Sequence, residues 1–79
     1  MKDDQVFYYV IRVPKEHSAF TYFQLEASEG LSFYSTLEES LGQGYRDIEI
    51  QGHVSLKEEL DQVLTTLSTK FPLEYIKQA

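Results

Sequence analysis

Two histidines, His17 and His53, are the first residues to question in this 79-residue chain, because imidazole titrates near neutral pH and serves most often as a general base. His17 stands in "KEHS" between Glu16 and Ser18, and His53 precedes Ser55 by two residues. A His-activated serine needs the two side chains to meet, and adjacent helical positions do not face one another. The carboxylate pairs Asp3-Asp4, Glu38-Glu39 and Glu58-Glu59 are neighbours in sequence. Their side chains diverge instead of converging on an ion, so no metal site is expected. Gly42-x-Gly44 lacks a third glycine and a following Lys-Ser/Thr, which leaves turn chemistry as its reading. With no cysteine, thiolate nucleophiles, disulfides and Cys-based zinc or iron–sulfur sites drop out together. No catalytic residue, metal ligand or cofactor is assigned. The enzymatic alternative is a small dimeric α+β barrel that holds substrate between helices and sheet, with His17 or Tyr9 as proton-transfer group.

Charge narrows the partners. Thirteen acidic residues against seven basic give a net charge of −6, which repels a phosphate backbone or an anionic bilayer. No nucleic acid and no membrane partner is expected. "MKDDQ" carries acids where a signal peptide needs positive charge, and the apolar run after it falls short of the roughly 20 residues of a membrane span. These features point to a cytoplasmic location.

The elements that must position any site follow from periodicity. "VFYYVIRV" alternates as a strand, with Phe7, Tyr9, Ile11 and Val13 on one face and Val6, Tyr8, Val10 and Arg12 on the other. Pro14 ends it and opens a helix whose expected buried stripe is Ala19, Phe20, Phe23 and Ala27, with Gly30 as C-cap. "LSFYSTL" reads as a second strand with Leu31, Phe33 and Leu37 inward and Ser32, Tyr34 and Thr36 outward. "EESLGQGY" reads as a mobile connection. "RDIEIQG" is a third strand with Ile48 and Ile50 inward and Asp47, Glu49 and Gln51 outward. Ser55 and Glu58 form the pattern of a capping box. The helix it starts carries Leu56, Leu60, Val63, Leu64, Leu67 and Phe71 on one face, up to Pro72. "LEYIK" is a last short strand.

The order β-α-β-β-α-β in residues 6–78, behind a loose tail of residues 1–5, predicts an α+β, ferredoxin-like domain. It is a four-stranded antiparallel sheet of order 4-1-3-2 with both helices on one face. The first strand is then central, and its helix-facing row is fully buried. Its other row should meet water, because an antiparallel sheet with one bare face is normally polar there. Instead that face is expected to carry Val6, Tyr8, Val10, Tyr34 and Ile76. Tyr and Val tolerate exposure as good strand formers; contiguous, they make a surface for a partner. If Val10 opposes Glu49, Arg12 should pair with Asp47 across the strands. RNA-binding domains share this topology and stack bases on first- and third-strand aromatics, but here Asp47, Glu49 and Gln51 occupy the third-strand row.

The element order, the Pro14 that opens the first helix and the "EGLSFYSTL" passage from helix to strand resemble ACT-type regulatory domains. The chain is equally similar to short bacterial families built as a lone β-α-β-β-α-β unit without a catalytic domain. The ACT resemblance implies pairing through sheets and a small ligand near the first loop, where that family commonly has glycine after the proline and this chain has Lys15. Together these readings give a small non-enzymatic binding or regulatory module. Its expected interaction face is Tyr8, Val10, Arg12, Tyr34 and Glu49, and its expected partner is a protein, a second copy or another chain, with a small-molecule ligand also possible.

Overall fold

The structure, a computed structural model, describes residues 5–27 and 33–78. Gly30, Leu31, Ser32 and the first four residues of the expected tail lie outside them. Gln5, placed in that tail by the sequence, holds the start of the domain: its carbonyl accepts from the Val54 amide at 3.1 Å.

Strand β1 (Val6–Pro14) leads through a 3-10 turn (Lys15–His17) into helix α1 (Ser18–Ala27). Strand β2 (Phe33–Thr36), a 3-10 turn (Glu38–Ser40) and strand β3 (Tyr45–His53) follow, then a 3-10 turn (Val54–Leu56), helix α2 (Lys57–Ser68) and strand β4 (Glu74–Gln78). The sheet order is β2-β3-β1-β4, all neighbours antiparallel. This is the order 4-1-3-2 read from the other edge. β1 pairs along its whole length with β3, Val10 opposite Glu49 and Arg12 opposite Asp47, the register expected from the charge pattern.

One face of the sheet is dry. Phe7, Tyr9, Ile11, Val13, Ile48 and Ile50 pack there against Leu25 of α1, Leu60, Leu64 and Leu67 of α2, and Phe71 beyond it. Both helices therefore cover the same face, α2 with the apolar stripe its sequence predicts.

Helix α1 turns differently from its expected stripe. Thr21 and Leu25 are buried and Tyr22 packs on the core, while Phe23 is 64% exposed and Phe20 also faces solvent. Thr21 can be buried because its hydroxyl donates to the His17 carbonyl at 2.9 Å, which leaves its methyl group to pack. β2 is inverted as well. Tyr34 lies opposite Ile50 and Thr36 opposite Ile48, so both point to the helix side, where Tyr34 stacks on Tyr22 at 5.5 Å and donates to Glu26. Tyr22 and Thr36 are hydroxyl partners. Phe33 is thereby sent to the bare face; a one-residue difference in strand parity moves every side chain to the other side.

The start of α2 also departs from its capping-box pattern. His53 occupies the cap position of the preceding 3-10 turn, and its Nδ1 accepts from the Ser55 amide at 3.1 Å. The ring takes the Ser55 amide, and α2 begins with Leu56 at its cap position and no side-chain cap bond. The β2–β3 connection has internal structure: the Arg46 guanidinium donates to the carbonyls of Ser40, Gln43 and Tyr45, and buried Ser40 donates to the Leu37 carbonyl.

The two helical faces predict opposite responses. Leu64→Ala should lose about 2–5 kcal/mol of unfolding free energy by opening a core cavity. Phe23→Ser should stay within about 0.5 kcal/mol of the wild type. Urea unfolding with a common slope measures both, and a large loss in Phe23→Ser would mean that α1 is rotated from the orientation described.

Candidate binding face

The bare face can be mapped in rows across the strands, because residues directly opposite in an antiparallel pair share a face. Tyr8, Gln51 and Phe33 form one row; Lys77, Val10, Glu49 and Ser35 the next; Glu74, Arg12 and Asp47 the third. Of the residues expected at the interaction face, Tyr8, Arg12 and Glu49 are on it. Tyr34 is not, since it packs beneath α1. Val10 points to this face but is only 4% exposed.

Polar side chains of the face itself cover Val10. Arg12 makes a two-pronged pair with Asp47, Nε to Oδ1 at 2.8 Å and Nη2 to Oδ2 at 3.0 Å, and its guanidinium lies 4.0 Å from the Tyr45 ring centre. Glu49 accepts from the Tyr8 hydroxyl at 2.9 Å and from Ser35 at 3.0 Å. Lys77 reaches over the Tyr8 ring from β4. Long side chains lay their aliphatic stems on apolar surface while their heads stay wet, and Val10, flanked by Tyr8 and Arg12 along β1 and by Glu49 and Lys77 across the strands, is placed to be covered by them. A shift in the β1–β4 register between Val10 and Ile11 leaves Ile76 without an opposite residue and sets Lys77 across from Val10. What remains apolar and open is at one end: Val6, 60% exposed, two residues before Tyr8 on β1, and Phe33, 82% exposed, on β2 with Gln51 of β3 between it and Tyr8.

The residues proposed for proton transfer are engaged elsewhere. The His17 ring stacks on Phe71 with centroids 4.5 Å apart and planes nearly parallel. His53 is held by Ser55 through both its amide and its hydroxyl. Tyr9 is 2% exposed and donates to Asp61 at 2.8 Å. Asp61 also takes Lys57 at 3.3 Å; Tyr9 and Asp61 together hold the Lys57 ammonium above its ordinary value. A groove of about 430 Å3 beside this cluster is lined by Glu58, Asp61, Gln62, Thr65 and Thr66 along α2, and neither histidine enters it. A smaller cleft of about 260 Å3 is bounded by Arg12, Pro14, Gly44, Tyr45, Pro72 and Glu74.

No family model, curated protein or solved structure matches the chain. Among the described residues, no group of His, Asp and Glu is arranged to hold a metal ion, and no helix is long and apolar enough to cross a membrane.

Two phenols tie the face and the helix layer to pH. Hydrogen bonding to Glu49, then burial, then the carboxylate charge raise Tyr8 above its ordinary value of 10.0. Tyr34 rises likewise through Glu26, burial and charge. The folded chain thus keeps protons that the unfolded chain releases, so this stabilisation is complete below pH 10 and is lost as pH rises through the raised values. Unfolding midpoints should fall above about pH 10, and less steeply in the Tyr8→Phe/Tyr34→Phe double variant. An unchanged alkaline slope in that variant would contradict the assignment.

Proposed function

We propose that the chain is a non-enzymatic binding module that takes a protein partner on the bare face of its sheet. The observation that carries this reading is Phe33, an almost fully exposed ring on a face no helix covers. It sits in the row with Tyr8, with Gln51 of β3 between the two rings. A single exposed ring needs no explanation; several at one end of a large flat face mark a contact site. Strands of nine, nine, four and five residues at about 3.4 Å per residue and about 4.8 Å apart outline ~440 Å2 in projection, about half of the ~800 Å2 per partner of a standard interface and the scale of a small, transient contact.

The element order, the sheet order and the shared helix face support a ferredoxin-like domain. Sheet-mediated association agrees with the ACT-type resemblance. That resemblance also implies a small ligand at the first loop, and the 260 Å3 cleft lies there. The Lys15 amide at this loop is already committed to the Gly44 carbonyl at 3.0 Å, which favours the protein partner over the small molecule. Paired charges at the middle of the face, with exposed apolar side chains at one end, suit a partner recognised by shape and register more than by net charge.

Site-specific photo-crosslinking in the native host tests the face without knowing the partner. A photoreactive residue at Val6 or Lys77 should give a discrete adduct, and one at Gln62 or Thr66 on the outside of α2 should not. Equal labelling at all four positions, or none on the sheet, would refute the reading.

A further inference from the structure

Two carboxylates stand in the middle of the bare face, Asp47 and Glu49, one row apart on β3. Only one of them has a cation. Asp47 holds Arg12 by two prongs, and that guanidinium lies 4.0 Å from the centre of the Tyr45 ring. Glu49 has neutral partners instead: the Tyr8 hydroxyl donates to one of its oxygens at 2.9 Å and the Ser35 hydroxyl to the other at 3.0 Å. The described residues form two ion pairs, Arg12–Asp47 and Lys57–Asp61, and Glu49 is in neither. It is a half-buried carboxylate whose charge its neighbours orient but do not neutralise, and withdrawing a charge from water without a counter-charge is unfavourable.

The surroundings of Glu49 repeat those that hold Arg12. An ionised carboxylate offers about four acceptor positions, and the two hydroxyls occupy one on each oxygen. The remaining two suit the parallel N–H groups of a guanidinium. A ring is in reach as well. Phe33 opposes Gln51, two residues beyond Glu49 on β3, which makes it the diagonal neighbour of Glu49, a spacing that aromatic and long side chains bridge. Phe33, Tyr34, Ser35, Glu49 and Gln51 bound a cleft of about 220 Å3 there. That is below the ~300–1,000 Å3 of small-molecule sites and suits one inserted side chain more than a free metabolite. Arginine fits better than lysine, because its planar fork matches a carboxylate and stacks on a ring, whereas an ammonium is a strongly hydrated point charge.

We infer that the partner taken on the bare face presents an arginine, whose guanidinium pairs with Glu49 and stacks on the Phe33 ring. This names the chemistry of the partner in the reading above and rests on that reading. Net charge −6 draws such a basic group in, and arginine is a residue type that anchors protein interfaces when it enters a pocket.

Disulfide tethering measures what the cleft accepts, because the chain has no cysteine of its own. Val6→Cys places a thiol on the same face, outside the residues that bound the cleft. Strand geometry sets Val6 about 14 Å from Glu49, a span that two glycines and a terminal side chain cover. The variant is mixed with equal amounts of three Cys-Gly-Gly-Xaa amides, ending in arginine, lysine or citrulline, under mild reductant at physiological salt, and the adducts are counted by intact mass. Arginine should be trapped about 5-fold over citrulline, its neutral isostere, the gain of one exposed ion pair with a cation–π contact, and ahead of lysine. Adding Glu49→Gln, which keeps the shape and an acceptor for the hydroxyls, should reduce that preference to about 2-fold or less, the general attraction of an acidic chain. Circular dichroism spectra matching the wild type confirm that both variants are folded. Arginine trapped no better than citrulline or lysine, or a preference that Glu49→Gln leaves unchanged, overturns the inference. A photo-crosslinked adduct at Lys77 alongside that result leaves the face reading standing without it. An arginine preference with no adduct on the sheet refutes the partner, and its arginine with it.

Discussion

The structure depends on one constraint: the central strand β1 must be dry at Val10 as well as along its inner row, in a fold that supplies helices to only one face. Its inner row is covered in the ordinary way by α1 and α2. Its outer row is covered from within the sheet, where Arg12, Glu49, Lys77 and Tyr8 close over Val10 and satisfy one another or Asp47 and Ser35 as they do so. A chain of 79 residues buries a small fraction of its surface compared with larger domains. Laying long side chains flat over a valine adds dry contact without adding a layer.

That arrangement decides where function can reside. The paired charges at the middle of the face are already complementary within the chain, so they set register and exclude water more than they attract a partner. Phe33 and Val6 are left open at one end of the face. On the other side of the sheet, Tyr9, Asp61 and Lys57 fasten β1 to α2, and His17 closes the end of the core against Phe71. These side chains act as fasteners, and both proton-transfer candidates are among them.

Much of the fold was legible because its longest elements have unambiguous periods. Ile48 and Ile50 fix the parity of β3, the leucines of α2 fix its face, and Arg12 with Asp47 fixes the register between β1 and β3. β2 was not legible: Phe33 and Tyr34 are both rings, and four residues cannot say which one is inside when parity is imposed by β3. α1 misled for a related reason. Its two phenylalanines outweigh Thr21 on any hydrophobic count, yet Thr21 hides its hydroxyl on the helix backbone and Tyr22 and Leu25 complete the stripe. The cap at His53 competes with the local pattern at Ser55, whose own amide the His53 ring takes. Of the expected interaction face, Tyr8, Arg12 and Glu49 could be placed from alternation alone. The burial of Val10 could not, since it depends on the register shift that sets Lys77 across from it.

The central claim is that Val10 is covered by its own neighbours. Methyl NMR with a soluble paramagnetic probe tests it directly, with Val6 as an internal reference on the same row of the same strand. The Val10 methyl signals should be protected from broadening while those of Val6 are broadened, and Arg12→Ala or Glu49→Ala should expose Val10 without unfolding the chain. Val10 methyls broadened as strongly as those of Val6 in the wild type would show that the face is not self-covered.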